Sequence, residues 1–124
     1  MKHPPGSKLR VRNVSRDTLL ADRAAIADSS KTRKVGLLKH KSLEPGDGLW
    51  IAPCEAVHTI GMKFPIDVLF LDRKLRVVKV RREMPQWRIA GSFRAHSVLE
   101  LPSGTAQATS TAPGDQLAFE TFQP

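Results

Sequence analysis

The chain has 124 residues, a length that fits one domain able to bury roughly two thirds of its unfolded surface and leaves no room for a second independent one. Its 40% apolar and 26% charged residues are those of a soluble globular protein, and they exclude wholesale disorder and a collagen-like repeat. The formal charge is +8, and the excess sits at one end: residues 1–41 hold eleven Lys or Arg against Asp17, Asp22 and Asp28, whereas residues 42–124 hold nine of each sign.

Residues 1–17 carry Pro4, Pro5, Gly6 and many charges without an apolar period, and are expected to form a flexible basic arm with at most an early strand; residues 18–124 are expected to form the domain. Leu19 to Ala27 fits either an Ala-rich helix or a short strand. Asp28, Ser29 and Ser30 supply N-cap side chains for a short helix from Lys31 to Lys39, with Gly36 packing closely inside it or marking its end. The run Glu44-Pro45-Gly46-Asp47-Gly48 is a turn, followed by an apolar strand, Leu49-Trp50-Ile51, that Pro53 ends.

Ile66 to Leu71 and Leu75 to Val80 are apolar and β-branched around Asp72-Arg73-Lys74, the pattern of a hairpin. Pro85 to Ser92 reads as a loop containing Trp87. Ser97 to Leu101 is a strand before the turn Pro102-Ser103-Gly104, and Pro113-Gly114-Asp115 turns the chain into a last strand, Gln116 to Phe122. The predicted fold is α+β: a single domain dominated by antiparallel, barrel-like sheet with one or two short helices. No stretch of Met1 to Ser30 looks like a signal-peptide core and no later run approaches the roughly 20 apolar residues of a membrane helix, so no transmembrane segment and a cytoplasmic location are expected. The one cysteine, Cys54, cannot form an intramolecular disulfide.

Several separated motifs, in order, resemble the domain-of-unknown-function 192 family. They are Arg33-Lys34-Val35-Gly36-Leu37-Leu38, Gly48-Leu49-Trp50-Ile51, His58-Thr59-Ile60-Gly61-Met62, Pro65-Ile66-Asp67-Val68-Leu69-Phe70-Leu71-Asp72, Val98-Leu99-Glu100-Leu101 with Gly104, and Gly114-Asp115. The match runs over about residues 19–120, and Pro53-Cys54 ahead of the His-Thr motif is similar to one subgroup. The resemblance implies a small mixed-sheet domain, with a strand rather than a helix at Leu19 to Ala27, and brings no activity, substrate or catalytic residue with it.

Three constellations carry candidate chemistry. Cys54, His58 and Met62 recur every four residues and so share a face; thiolate, imidazole and thioether together suit a soft metal such as Cu(I), or zinc. An extended strand would spread them over about 13 Å at ~3.3 Å per residue, so a bend is required, which Pro53 and Gly61 permit; the alternative is a buried thiol, a hydrogen-bonded imidazole and a core methionine. A thiol-dependent enzyme would use Cys54 as nucleophile, His58 or His96 as base and Asp67 as orienter, although the surroundings of Cys54 match no cysteine-hydrolase context.

Asp67 and Glu100 interrupt apolar strands, where a carboxylate must be paired or hydrogen-bonded; they either mark a cleft with acid or base capacity or pair with a cation, for which Arg33 is the candidate. Trp87 is a candidate stacking platform and Trp50 a core residue. The favoured reading is a non-enzymatic accessory or ligand-binding module with a cleft lined by His58, Met62, Asp67, Trp87 and Glu100. The alternatives are a polyanion- or nucleic-acid-binding protein using residues 1–41 and 73–94, the latter holding eight basic residues against Glu83, and a soft-metal or thiol-dependent enzyme. The chain has no Tyr and no aromatic-rich strand of the kind that stacks bases, and it carries no Gly-rich phosphate loop, paired-Cys zinc motif or dinucleotide fingerprint.

Overall fold

The computed structural model describes residues 3–35 and 42–124. Over them the chain forms β1 (Lys8–Asn13), β2 (Thr18–Ala27), α1 (Ser30–Val35), β3 (Leu49–Ile51), β4 (Ala56–His58), β5 (Ile66–Leu71), β6 (Val77–Met84), β7 (Ile89–Gly91), β8 (Ser97–Pro102), α2 (Thr105–Ala108) and β9 (Leu117–Phe122). Seven strands make one sheet in the order β6-β5-β8-β3-β2-β1-β9, and β4 pairs with β7 in a separate ribbon. Within the large sheet β2 and β3 run parallel and every other neighbouring pair is antiparallel.

The sheet curls without closing into the expected barrel. Its two edges meet at one bridge, Arg76 with Gln116, flanked by Val77 N–H donating to Asp115 O at 2.8 Å and Leu117 N–H to Leu75 O at 3.0 Å. That contact joins only the start of β6 to the start of β9; β6 then follows β5 while β9 follows β1, so no ladder forms between them.

Residues 8–13, read as at most an early strand within a flexible arm, form an inner strand of the sheet. Lys8, Arg10 and Arg12 alternate with Leu9, Val11 and Asn13, and the second set is buried. Pairing with β2 on one side and β9 on the other satisfies the backbone of β1 along both edges. His3 is tied down as well, its N–H donating to Asp28 Oδ2 at 2.8 Å.

The Ala-rich stretch adopts the strand alternative, and α1 opens on a reciprocal cap in which Thr32 N–H donates to Ser29 Oγ and Ser29 N–H to Thr32 Oγ1. The rest of the predicted helix, with Gly36, Leu37 and Leu38, lies outside the described residues. Gly48 lets β3 lie between β2 and β8: a Cβ there would sit 3.1 Å from Leu101 Cδ2 and 3.3 Å from Ala24 Cβ.

All six residues of β5 are buried, because the strand is covered on both faces. Leu69 and Leu71 join Leu9, Val11, Leu20, Leu99, Leu101 and Leu117 in one core. Ile66, Val68 and Phe70 join Leu49, Ile51, Met84 and Val98 in a second, which Val57 and Ala90 of the β4–β7 ribbon and Met62 cover from outside. Among the described residues no helix is long and apolar enough to cross a membrane.

Candidate functional site

The carboxylates expected to share a cleft lie on opposite faces of the sheet. Asp67 stands opposite Leu101 on the first-core face, whereas Glu100 stands opposite Val68 and Leu49 on the second-core face. Asp67 is fully buried and accepts two backbone hydrogen bonds, at 2.8 Å from Glu83 N–H in β6 and at 2.7 Å from Ala106 N–H at the start of α2. It fastens a helix and a strand bend to β5 and leaves neither oxygen idle. Glu100 is buried with no ion-pair partner among the described residues, and desolvation pushes its carboxyl up to about 7. Arg33, the expected partner of one carboxylate, instead donates to Asp28 O at 3.3 Å and Ser30 Oγ at 3.4 Å.

The soft-ligand trio is dispersed. Val57 faces the second core, so strand alternation turns His58 out to solvent, and the turn closed by Met62 N–H on Thr59 O returns the Met62 side chain to the core. The Cys54 thiol donates to Ala56 O at 3.1 Å. Burial, the largest effect, pushes that thiol up and the negative charge of Glu100 adds to it, while a hydrogen bond with the Ala56 backbone and the Arg33 charge oppose it in part; the thiolate needed for nucleophilic attack is therefore disfavoured. Among the described residues no three His, Cys, Asp or Glu side chains converge as a cation site. Cys54 is instead brought beside His96: Cys54 N–H donates to His96 O at 2.8 Å, and both residues line a depression of about 290 Å³ with Pro53, Glu55 and Ala95.

Ala95 and His96 also line a second, open groove of about 700 Å³. Arg73, Lys74 and Arg76 of the β5–β6 turn form one wall, Phe93, Arg94 and His96 of the β7–β8 connection the other, and Asp72 is the acidic residue in the lining. Asp72 is committed to the turn, its Oδ1 accepting the N–H groups of Lys74 and Arg76, each at 2.9 Å. The opposite wall is fixed by His96 N–H donating to Leu71 O at 2.8 Å and Ala95 N–H to Ser92 O at 3.1 Å.

Three arginines of the N-terminal third have carboxylate partners. Arg12 pairs with Asp17, Arg16 with Asp115, and Arg23 with both Asp22 and Asp47. Among the described residues none of Arg73, Lys74, Arg76 and Arg94 has a carboxylate partner. Sequence reasoning found the cluster at 73–94 but not the opposed walls, nor Phe93 and His96 within them; only the pairing of β5 with β6 and β8 brings the two segments together.

Of the expected loop Pro85 to Ser92, Ile89–Gly91 forms strand β7 instead; Trp87 lies in the part that remains a loop and is 64% exposed. Its N–H donates to Thr59 O at 3.3 Å, and buried Thr59 fixes the loop through Oγ1, which donates to Pro85 O at 2.6 Å and accepts from Arg88 N–H at 2.9 Å. Trp50 is half-buried, packed edge-on against Phe119 and His3 at centroid separations of 5.3 and 5.9 Å.

The sequence profile of DUF192, described as an uncharacterised ACR family, matches residues 11–119. A UPF0127 protein of Pyrococcus horikoshii is 34% identical over 116 residues, covering 88% of this chain and 97% of that one. Two solved structures share the fold. A protein of unknown function from Novosphingobium aromaticivorans is 19% identical with a TM-score of 0.77, over 90% of this chain and 83% of that one. A putative transcription regulator from Sinorhizobium meliloti is 20% identical with a TM-score of 0.80, over 96% and 98%. At those identities the likeness is one of fold alone.

Proposed function

This chain belongs to the DUF192 family, and we propose that it serves there as a non-enzymatic binding module for polyanionic ligands, gripped between the β5–β6 turn and the β7–β8 connection. The observation that carries the reading is the convergence of Arg73, Lys74, Arg76 and Arg94 on one groove without carboxylate partners among the described residues. Like charges held together in this way repel, and a phosphate or carboxylate ligand relieves the repulsion while releasing counterions. Arginine adds bidentate geometry to the attraction. A cytoplasmic setting belongs to the same proposal and agrees with the single free thiol of Cys54.

Titration with a mixed-sequence single-stranded oligonucleotide, used as a generic phosphate chain, tests the reading. Arg73→Ala/Arg94→Ala is expected to weaken binding about tenfold or more at low salt. Arg12→Ala, outside the groove, is expected to leave it unchanged. Equal affinity in the groove variant and the unaltered protein would refute the assignment.

A further inference from the structure

The β4–β7 ribbon carries apolar side chains that no core uses. Val57 and Ala90 face inward, so register places His58 and Ile89 side by side on the outer face, with Ala56 and Gly91 beyond them. Ile89 is 74% exposed, Trp87 64% and Ile60 44%. The bonds from Trp87 N–H and Arg88 N–H to Thr59 hold the Trp87 loop alongside the turn that carries Ile60. At the other end of the ribbon Phe93 is fully exposed. It lines a shallow depression of about 320 Å³ with Glu55, Ala56, Gly91 and Ser92, and it also lines the cationic groove. Phe93 thus joins the apolar ribbon to the groove in one continuous surface.

We propose that this surface docks on an anionic lipid bilayer, with Trp87, Ile89 and Phe93 entering the headgroup region while the groove cations hold lipid phosphates. The inference rests on the reading of the groove as an anion site. Charge complementarity selects a lipid surface over a protein partner. The three most exposed apolar residues each have a cation beside them in sequence, Arg88 between Trp87 and Ile89 and Arg94 after Phe93, whereas Ile60 has none. Alternation of this kind lets an apolar side chain reach the acyl boundary while its neighbour stays among the phosphates, and Trp in particular favours that interface. Between Arg73 and Arg94 the one acidic residue is Glu83; Glu55 is the carboxylate at the ribbon itself. Basic clusters gain affinity for anionic leaflets with each Lys or Arg near the surface.

Sedimentation with phosphatidylcholine vesicles, with and without phosphatidylglycerol, is the test, run beside the oligonucleotide titration on the unaltered chain, Trp87→Ser/Ile89→Ser and Arg73→Ala/Arg94→Ala. The unaltered protein is expected to sediment with the phosphatidylglycerol vesicles alone. The ribbon variant, altered at exposed positions, is expected to lose about tenfold in vesicle partitioning and to keep its oligonucleotide affinity; the groove variant is expected to lose both. Oligonucleotide binding without vesicle binding would overturn the lipid assignment and leave the groove reading standing, as would vesicle binding indifferent to the ribbon substitutions. Undiminished oligonucleotide binding by the groove variant would remove the groove reading, and this inference with it.

Discussion

Asp67 and Glu100 sit on adjacent antiparallel strands, one register position apart, with their side chains on opposite faces of the sheet. The two carboxylates therefore meet different physics. Asp67 is held by two backbone N–H donors, whereas Glu100 faces the second core with no ion-pair partner among the described residues.

Replacing Asp67 by Ala strands the buried N–H of Ala106 and the N–H of Glu83. Charge-assisted hydrogen bonds contribute about 1.5–3 kcal/mol each, so the variant should lose about 3 kcal/mol or more in urea unfolding. Asp67→Asn, which keeps one acceptor and turns an amide N–H₂ toward the other donor, should lose less. A loss within the error of the unfolding curve would show that the carboxylate does not anchor α2.

Glu100 should make stability fall as pH rises. Its carboxyl is raised from 4.5 in the unfolded chain to about 7 in the folded one, so between these values the folded state binds more protons. The stabilising contribution is complete below about pH 4.5 and disappears as pH passes 7, a span of about 3 kcal/mol. Glu100→Gln should remove that dependence and be the more stable protein at pH 8. Parallel unfolding curves for the two proteins across pH 4.5–8 would contradict the assignment.

Asp115 should act in the opposite direction. Burial raises its carboxyl, but the hydrogen bonds from Asn13, Arg16 and the Ala112 N–H outweigh it and hold the group below its usual range. Its contribution is present above the unfolded value of 3.8 and is lost as pH falls through the depressed one. Asn13 Nδ2 bridges Asp115 Oδ2 at 3.0 Å and Thr111 Oγ1 at 3.1 Å, so Asn13→Ala should destabilise by about 1–3 kcal/mol. It should also move the acid unfolding midpoint to higher pH; an unmoved midpoint would count against the network.

Cys54 should react slowly with a thiol-specific disulfide reagent at pH 8. Burial and the Glu100 charge keep the thiol protonated, and the thiolate is the attacking species. Glu100→Gln should speed the reaction by lifting the repulsion. A rate above that of free cysteine would revive the nucleophilic reading.

Where residue pattern and local hydrogen bonding agree, the fold was legible. The β5–β6 hairpin, β3, β8 and β9 each have an apolar run bounded by turn residues. Strand β1 was legible only as an early strand within a flexible arm, because its solvent-facing alternation is cationic and follows Pro4-Pro5-Gly6, which reads locally as a linker. Strands β4 and β7, three residues each, are too short to show a period. The role of Asp67 depends on α2, a four-residue helix 39 positions away, and no local signal marks such a partner. The trio at 54, 58 and 62 shared spacing but not surroundings, since an extended strand followed by a turn separates what a helix would have aligned. The basic cluster was visible, but its division into two groove walls follows from tertiary pairing.

The salt dependence of oligonucleotide binding tests the central claim most directly, with the unaltered protein compared to Arg73→Ala/Arg94→Ala. Each phosphate contact to a single strand contributes about 0.7 to the slope of log affinity against log salt. The groove account predicts a slope shallower by about 1.4 in the variant, with weaker binding at every salt concentration. An identical slope and affinity in the two proteins would contradict it.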